Sequence, residues 1–158
     1  MEQHVVGAAG GRDYDWESDH IYIKTAADLT GGRLTVVEDT LKPGFRLASH
    51  YHKEMTEVFY ILEGEITFVF QAETVVATRG MTVNIPPNVV HEVSSEMGGK
   101  LITIFSPGGF DRYLEKLSSL SEAQSQDAAF MQSLAEEYDT WSAQIALATR
   151  DAADATRG

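Results

Sequence analysis

Residues 44–64 read GFRLASHYHKEMTEVFYILEG. Two histidines, His50 and His52, stand two positions apart in this stretch, and Glu57 follows five residues later. The pattern predicts one strand over 46–52 and another from Glu57 onward, and side chains at i and i+2 of a strand point to the same face. The two imidazoles are therefore predicted to converge on one point, with a carboxylate close by in the chain.

A third histidine stands in a second stretch, where residues 80–95 read GMTVNIPPNVVHEVSS. His91 follows a turn at 86–88, and closure of a β-barrel would bring it to the other two histidines and the carboxylate. Three imidazoles and a carboxylate suit a divalent first-row transition metal. The alternative for any one histidine is a hydrogen-bonded core or surface residue, and this is the interpretation for His4 and His20.

The two stretches resemble the two motifs of the cupin superfamily. The first motif, G-x5-HxH-x4-E-x6-G, is matched at every fixed position from Gly44 to Gly64. The second, G-x5-PxG-x2-H-x3-N, starts at Gly80 and is matched except at Asn88, where glycine is usual, and at Ser95, where asparagine is usual. Because asparagine accepts a left-handed backbone better than most residues, the turn is expected to be kept.

The resemblance implies an all-β fold, a cupin-type jelly-roll β-barrel with short C-terminal α-helices and a metal in the barrel mouth, commonly a homodimer. Matched residue by residue, the family's metal ligands fall on His50, His52, Glu57 and His91. The fold uses Fe, Mn, Ni, Co, Cu or Zn, and the residues leave the choice of ion open.

The rest of the chain fits a single β domain over residues 20–109. Residues 1–19 are predicted to be a flexible N-terminal arm, residues 110–148 C-terminal helices and residues 149–158 a frayed tail. The short turn at 63–65 is predicted to close a hairpin, because it offers a glycine for a positive φ. The predicted strands are 21–24, 33–41, 46–52, 57–63, 65–71, 73–78, 81–85, 89–94 and 100–105.

Three helices are predicted after the barrel. Phe110, Tyr113, Leu114 and Leu117 share one face of the first. A second is expected from 121 or 125 to 138, and a third over 140–148. Their expected role is a packing collar on the barrel, so that truncation after residue 109 would reduce solubility more than metal content; the alternative is a lid over the barrel mouth.

Composition excludes several classes of function. The 158 residues carry 12 Lys and Arg against 24 Asp and Glu, for a net charge of -12, which disfavours nucleic acid and anionic membrane surfaces as partners. The absence of Cys removes disulfides, thiolate nucleophiles and Cys-based metal sites. With no secretory leader and no long apolar run, the expected location is cytoplasmic.

Strand parity suggests what surrounds the four candidate ligands. If Glu57 points inward, aromatic and aliphatic side chains share its face or oppose it, and such walls suit a flat, apolar, hydroxylated ligand. The alternative is that these side chains only fill the barrel core. The candidate substrate-pocket residues are Phe45, Met55, Phe59, Ile61, Phe68, Phe70 and Val93.

Three further segments carry a narrower resemblance, to single-domain cupins of the quercetinase dioxygenase type and to aromatic polyketide cyclases. They read IKTAADLTGGRLTVVEDTLKPG at 23–44, EVFYILEGEITF at 57–68 and IFSPGGFDRYLEKL at 104–117. The dioxygenase chemistry implied by this resemblance makes Glu57 the catalytic base that deprotonates a flavonol or similar enol before dioxygen cleaves its ring. The cyclase chemistry consumes no oxygen and closes a poly-β-ketone by aldol condensation.

The sequence favours the dioxygenase, a metal-dependent oxidoreductase acting on a small-molecule substrate. Redox-neutral cyclisation or isomerisation stays open. So does a non-catalytic small-molecule-binding barrel, although such a barrel has no need of a complete metal ligand set.

Overall fold

The computed structural model describes residues 3–145. Within that range the chain forms ten strands, a short 3-10 helix at Ala27–Thr30 and three α-helices. The strands are β1 Arg12–Asp15, β2 Asp19–Thr25, β3 Thr35–Leu41, β4 Phe45–Tyr51, β5 Thr56–Phe70, β6 Thr74–Thr78, β7 Thr82–Ile85, β8 His91–Ser95, β9 Gly99–Ser106 and β10 Trp141–Ser142. The helices are α1 Phe110–Ser118, α2 Glu122–Gln126 and α3 Ala128–Glu137.

The strands pair antiparallel in two sheets that share β5. One sheet runs β1-β2-β3-β9-β5-β7, and the other runs β10-β4-β8-β5-β6. Apolar side chains from both sheets form one buried cluster between them, with Phe59 and Leu101 from the first sheet and Phe68 and Val93 from the second. The predicted all-β class with short C-terminal helices is confirmed.

The predicted hairpin at 63–65 is wrong, because β5 is one strand of 15 residues. Its first half pairs with β9 and β7, and its second half pairs with β8 and β6. Gly64 has φ 80° at the crossing, and a Cβ there would lie 2.6 Å from the carbonyl oxygen of Gly98. The glycine therefore lets the strand pass from one sheet to the other instead of reversing it.

The C-terminal elements differ in part from the predicted helices. Helix α1 lies where it was expected, but the second helix is divided at Asp127, whose carboxylate accepts hydrogen bonds from the first backbone N–H groups of α3. The predicted third helix is wrong over its described part, because Trp141 and Ser142 pair with β4 as a strand. The ammonium group of Lys53 lies 3.0 Å from the centroid of the Trp141 ring, which holds this strand in place.

The N-terminal region also adds to the sheet. Strand β1 lies within the stretch predicted as an arm and pairs with β2. The predicted tail at 149–158 and the end of the predicted third helix lie outside the described residues. None of the helices within 3–145 combines the length and the apolar character needed to cross a bilayer.

Candidate metal centre

Four side chains predicted as metal ligands lie together inside the barrel. His50, His52, Glu57 and His91 each present one nitrogen or oxygen atom, and these atoms all lie within 4.8 Å of one another. Their exposed fractions run from 0% at His91 to 7% at His50. The four predicted ligands, which are spread over residues 50–91 of the sequence, therefore lie together and away from solvent.

Strand pairing places these side chains. His50 in β4 lies opposite His91 at the start of β8, beside an irregularity in that pairing. His52 follows the end of β4, and its carbonyl accepts a 2.6 Å hydrogen bond from the backbone N–H of Asn88. Asn88 adopts φ 66°, so the asparagine takes the left-handed conformation for which the motif usually has glycine.

Each imidazole is oriented by a backbone carbonyl. The Nδ1 atom of His50 lies 2.8 Å from the carbonyl of Ala48, and that of His91 lies 2.9 Å from the carbonyl of Val89. The Nδ1 atom of His52 lies 2.7 Å from the carbonyl of Asp139. Because a carbonyl only accepts hydrogen bonds, Nδ1 carries the proton in all three rings and Nε2 is left with its lone pair.

The pKa values of the cluster follow from burial and from Glu57. Burial and the neighbouring His91 lower the pKa of His50 to about 4. Burial raises the pKa of Glu57, but the adjacent imidazoles of His52 and His91 outweigh it and bring the value to about 2. For His52 the adjacent carboxylate and the carbonyl of Asp139 outweigh burial and raise the pKa. At neutral pH the cluster thus contains an ionised carboxylate beside an uncharged His50.

This donor set fits a divalent metal ion. Glu57 Oε2 lies 3.1 Å from His91 Nε2 and 3.3 Å from His52 Nε2. His52 Nε2 is buried, yet it has no hydrogen-bond partner among the described residues. Buried polar atoms are nearly always paired, so an orphaned ring nitrogen beside a carboxylate indicates a site built for a cation.

Asp139 is a residue that the sequence analysis missed. It follows α3 with φ 56°, and its carboxylate accepts backbone N–H bonds from Lys53, Glu54 and Met55 at 2.8, 3.0 and 2.9 Å. Its backbone carbonyl holds the ring of His52. No local pattern links an aspartate at 139 to a loop at 53–55, because the two are joined only by tertiary packing.

A cavity of about 260 Å³ opens beside the cluster and includes His50, His52 and Glu57 in its wall. Most of its wall is apolar, and it receives side chains from both sheets and from α1. Phe110 and Tyr113, from the predicted face of the first C-terminal helix, are in that wall. Two carboxyl groups that the sequence analysis did not single out, Asp19 and Asp39, also line it.

The seven candidate pocket residues are divided between the cavity and the core. Phe45, Phe59 and Val93 line the cavity. Ile61, Phe68 and Phe70 belong to the apolar cluster between the sheets, and Met55 belongs to a second cluster with Phe105 and Leu114. The reason is the crossing of β5, which places Ile61 and Phe68 on facing sheets deep in the sandwich.

The stretch of chain that contains the four predicted ligands is similar in sequence to known proteins. Residues 37–105 match the family model described as the cupin domain. A quercetin 2,3-dioxygenase from Bacillus subtilis (strain 168) is 30% identical over 96 residues, which cover 60% of this chain. The match spans 28% of that protein's own length.

Solved structures give the same fold. An RmlC-like cupin from Shewanella frigidimarina NCIMB 400 is similar with a TM-score of 0.62 and 24% identity, over 70% of this chain and 96% of that one. KdgF from Halomonas sp. is similar with a TM-score of 0.61 and 16% identity, over 69% of this chain and 99% of that one. These likenesses confirm the predicted jelly roll. Residues 37–105 therefore resemble the cupin domain, in a chain that has the jelly-roll fold and resembles the single-domain cupins of the quercetinase type.

Proposed function

We propose that this protein is a metal-dependent cupin enzyme, a quercetinase-like dioxygenase acting on a small hydroxylated aromatic or enolisable substrate. One observation carries the proposal: a buried cluster of three imidazoles and a carboxylate borders a largely apolar cavity of about 260 Å³. That volume lies just below the usual range for small-molecule sites, roughly 300–1,000 Å³. The similarity to a quercetin 2,3-dioxygenase supports the substrate class.

The ion would be held by Nε2 of His50, His52 and His91 and by the carboxylate of Glu57. A divalent transition metal bound there supplies Lewis-acid stabilisation of an enolate and, if redox-active, a path for electrons to dioxygen. The ring orientations that this requires are already set by carbonyl groups on each Nδ1.

The protein's own residues would accept the substrate proton and hold the substrate ring. Glu57 is the one carboxylate of the cluster and is ionised, so it is the group that accepts the proton of a substrate hydroxyl. Phe45, Phe59 and Val93 would pack against a flat ring and keep water from its reacting face. The cluster's burial raises the strength of each of these polar interactions.

Oxygen uptake tests the proposal. The purified protein is loaded in turn with Fe, Mn, Ni, Co, Cu and Zn, its metal content is measured, and an oxygen electrode follows each form with quercetin. We expect oxygen consumption with at least one redox-capable ion and none with His91→Ala protein treated identically. If the fully metal-loaded protein consumed no oxygen in the presence of quercetin or other flavonols, the proposed dioxygenase activity would be contradicted.

A redox-neutral cyclase or isomerase is the second candidate, and the carboxyl groups of Asp19 and Asp39 in the cavity wall favour it. Such groups supply acid–base catalysis without an oxidant. Product formation from an enolisable polyketide analogue under nitrogen would support this function. If the protein bound such compounds and released them chemically unchanged, it would instead be a non-catalytic small-molecule-binding barrel.

A further inference from the structure

Two carboxyl groups meet inside the cavity away from the metal ligands. Asp19 opens β2 and Asp39 lies in β3, with exposed fractions of 7% and 8%. In the register of these strands Asp39 pairs with Ile21 and Asp19 pairs with Leu41, so the two aspartates are diagonal neighbours on the inward face. Both are in the cavity wall.

The surroundings of Asp39 favour its protonated form. Ser18 Oγ donates a 2.6 Å hydrogen bond to Asp19 Oδ1. Burial and the neighbouring Asp19 raise the pKa of Asp39 to about 8. No Lys, Arg or His within 3–145 makes an ion pair with either aspartate. A shared proton is the usual solution for adjacent buried carboxyl groups.

Structural need does not explain this pair. Asp39 Oδ1 is buried and has no hydrogen-bond partner among the described residues. Leaving a buried polar atom unpaired costs about 1–3 kcal/mol, whereas an apolar side chain at this position would pack as its neighbours Ile21 and Val37 do. An orphaned carboxyl oxygen in a cavity wall therefore indicates a group that meets a ligand.

We propose that Asp39, which lies beside Asp19 in the cavity wall with its Oδ1 unpaired among the described residues, hydrogen-bonds to a hydroxyl or carbonyl oxygen of the ligand whose other end reaches the metal centre. The inference rests on the proposed function for that second contact. The pair makes the site selective for neutral hydroxylated aromatics, because a carboxylate or phosphate on the ligand would meet the negative charge of two carboxyl groups that share one proton. The other charged or titratable groups of the cavity wall are Arg46, His50, His52, Glu57 and Tyr113.

Anaerobic binding tests this inference without turnover. Quercetin, with catechol as a smaller probe, is titrated into the metal-loaded full chain under nitrogen, and its absorbance change gives Kd. We expect Asp39→Leu to raise Kd about tenfold, which corresponds to about 1.4 kcal/mol, with unchanged metal content and with thermal stability at least equal to that of wild type. Asp39→Asn keeps a donor and is expected to restore most of the affinity.

Glu38→Leu is the matched control, because Glu38 is next along β3 and points to the other face. Equal Kd values for wild type and Asp39→Leu at full metal content would overturn this inference but not the proposed function. Failure of the wild type to bind either probe would overturn it together with the proposed substrate class. Quercetin binding with the expected Asp39 dependence, but no oxygen uptake in air, would support it and contradict only the dioxygenase.

Discussion

At the scale of single residues, the metal centre depends on which ring nitrogen of each histidine is hydrogen-bonded to a backbone carbonyl. A carbonyl oxygen on Nδ1 of His50, His52 and His91 leaves each Nε2 free, and the three nitrogens meet around Glu57. The identities of these four residues followed from motif spacing. Their ring orientations did not, because the carbonyl groups belong to backbone whose course only the fold decides.

Replacement of Glu57 separates metal binding from chemistry. We expect Glu57→Gln to retain metal through the three imidazoles but to lose oxygen uptake by roughly 10²–10⁴-fold, because the amide cannot accept the substrate proton. Metal analysis and the oxygen electrode give the two readouts. Glu63→Gln, an exposed change on the same strand, is the control. Unchanged turnover in Glu57→Gln would remove Glu57 from the reaction.

The raised pKa of Asp39 predicts a pH dependence of stability. Between its ordinary value of 3.8 and about 8, the folded state keeps a proton that the unfolded state has lost, so the free energy of unfolding falls as pH rises through this window. Each pH unit accounts for at most about 1.4 kcal/mol. We expect metal-free Asp39→Asn to gain stability over wild type progressively from pH 4 to pH 8 in urea unfolding. A constant difference across that range would contradict a shared proton at Asp39.

At the scale of elements, the pattern of apolar and polar residues predicted where the strands lie but not how they are connected. The stretch Glu63-Gly64-Glu65 has the composition of a tight turn, and only the pairing of β5 with strands of both sheets shows that it continues. The strand at Trp141 was likewise hidden, because its partner Tyr51 lies 90 residues earlier and local sequence favours a helix there. Contacts distant in sequence decided both cases.

The crossing of β5 makes a stability prediction. Gly64 and Gly31 both have positive φ, but a Cβ at Gly31 meets open space whereas one at Gly64 meets the backbone of Gly98 and Gly99. We expect Gly31→Ala to cost about 1–2 kcal/mol from its left-handed backbone, and Gly64→Ala to cost distinctly more. Chemical denaturation compares the two variants. Equal losses would show that the close approach at Gly64 has no energetic consequence.

The segment after α3 is expected to support the metal centre. Asp139→Ala removes the acceptor for three backbone N–H groups of the loop after His52, so we expect metal affinity to fall about 10–100-fold, the usual effect of losing a group that orients a ligand. Competition with a chromophoric chelator measures it. Asp127→Ala, which removes a helix cap elsewhere, is the matched control.

The same contacts change the expected effect of truncation. A chain ending at 109 lacks Asp139 and with it the hydrogen-bond partner of His52 Nδ1. We therefore expect truncation to lower metal affinity as well as solubility. Wild-type metal affinity in Asp139→Ala would restore the earlier view of these helices as a packing collar.

At the scale of the whole molecule, one cavity joins the two parts of the proposed site. Two of the histidines come from the sheet of β4 and β8, and the aspartate pair comes from the facing sheet of β2 and β3. The spaced motifs allowed the first part to be predicted. The second part was hidden because an aspartate on a half-buried strand does not reveal by itself which face is inward. A homodimer stays a prediction, which sedimentation of the purified chain would test.

Metal stoichiometry tests the central claim most directly. Elemental mass spectrometry of the purified full chain, after dialysis against metal-free buffer, is compared between wild type, His91→Ala and His20→Ala, whose imidazole lies outside the cluster beside Asp13. We expect a single divalent ion per chain in wild type and His20→Ala, and almost none in His91→Ala. Equal metal content in all three, or none in folded wild type after loading, would contradict the assignment of His50, His52, Glu57 and His91 as a metal centre.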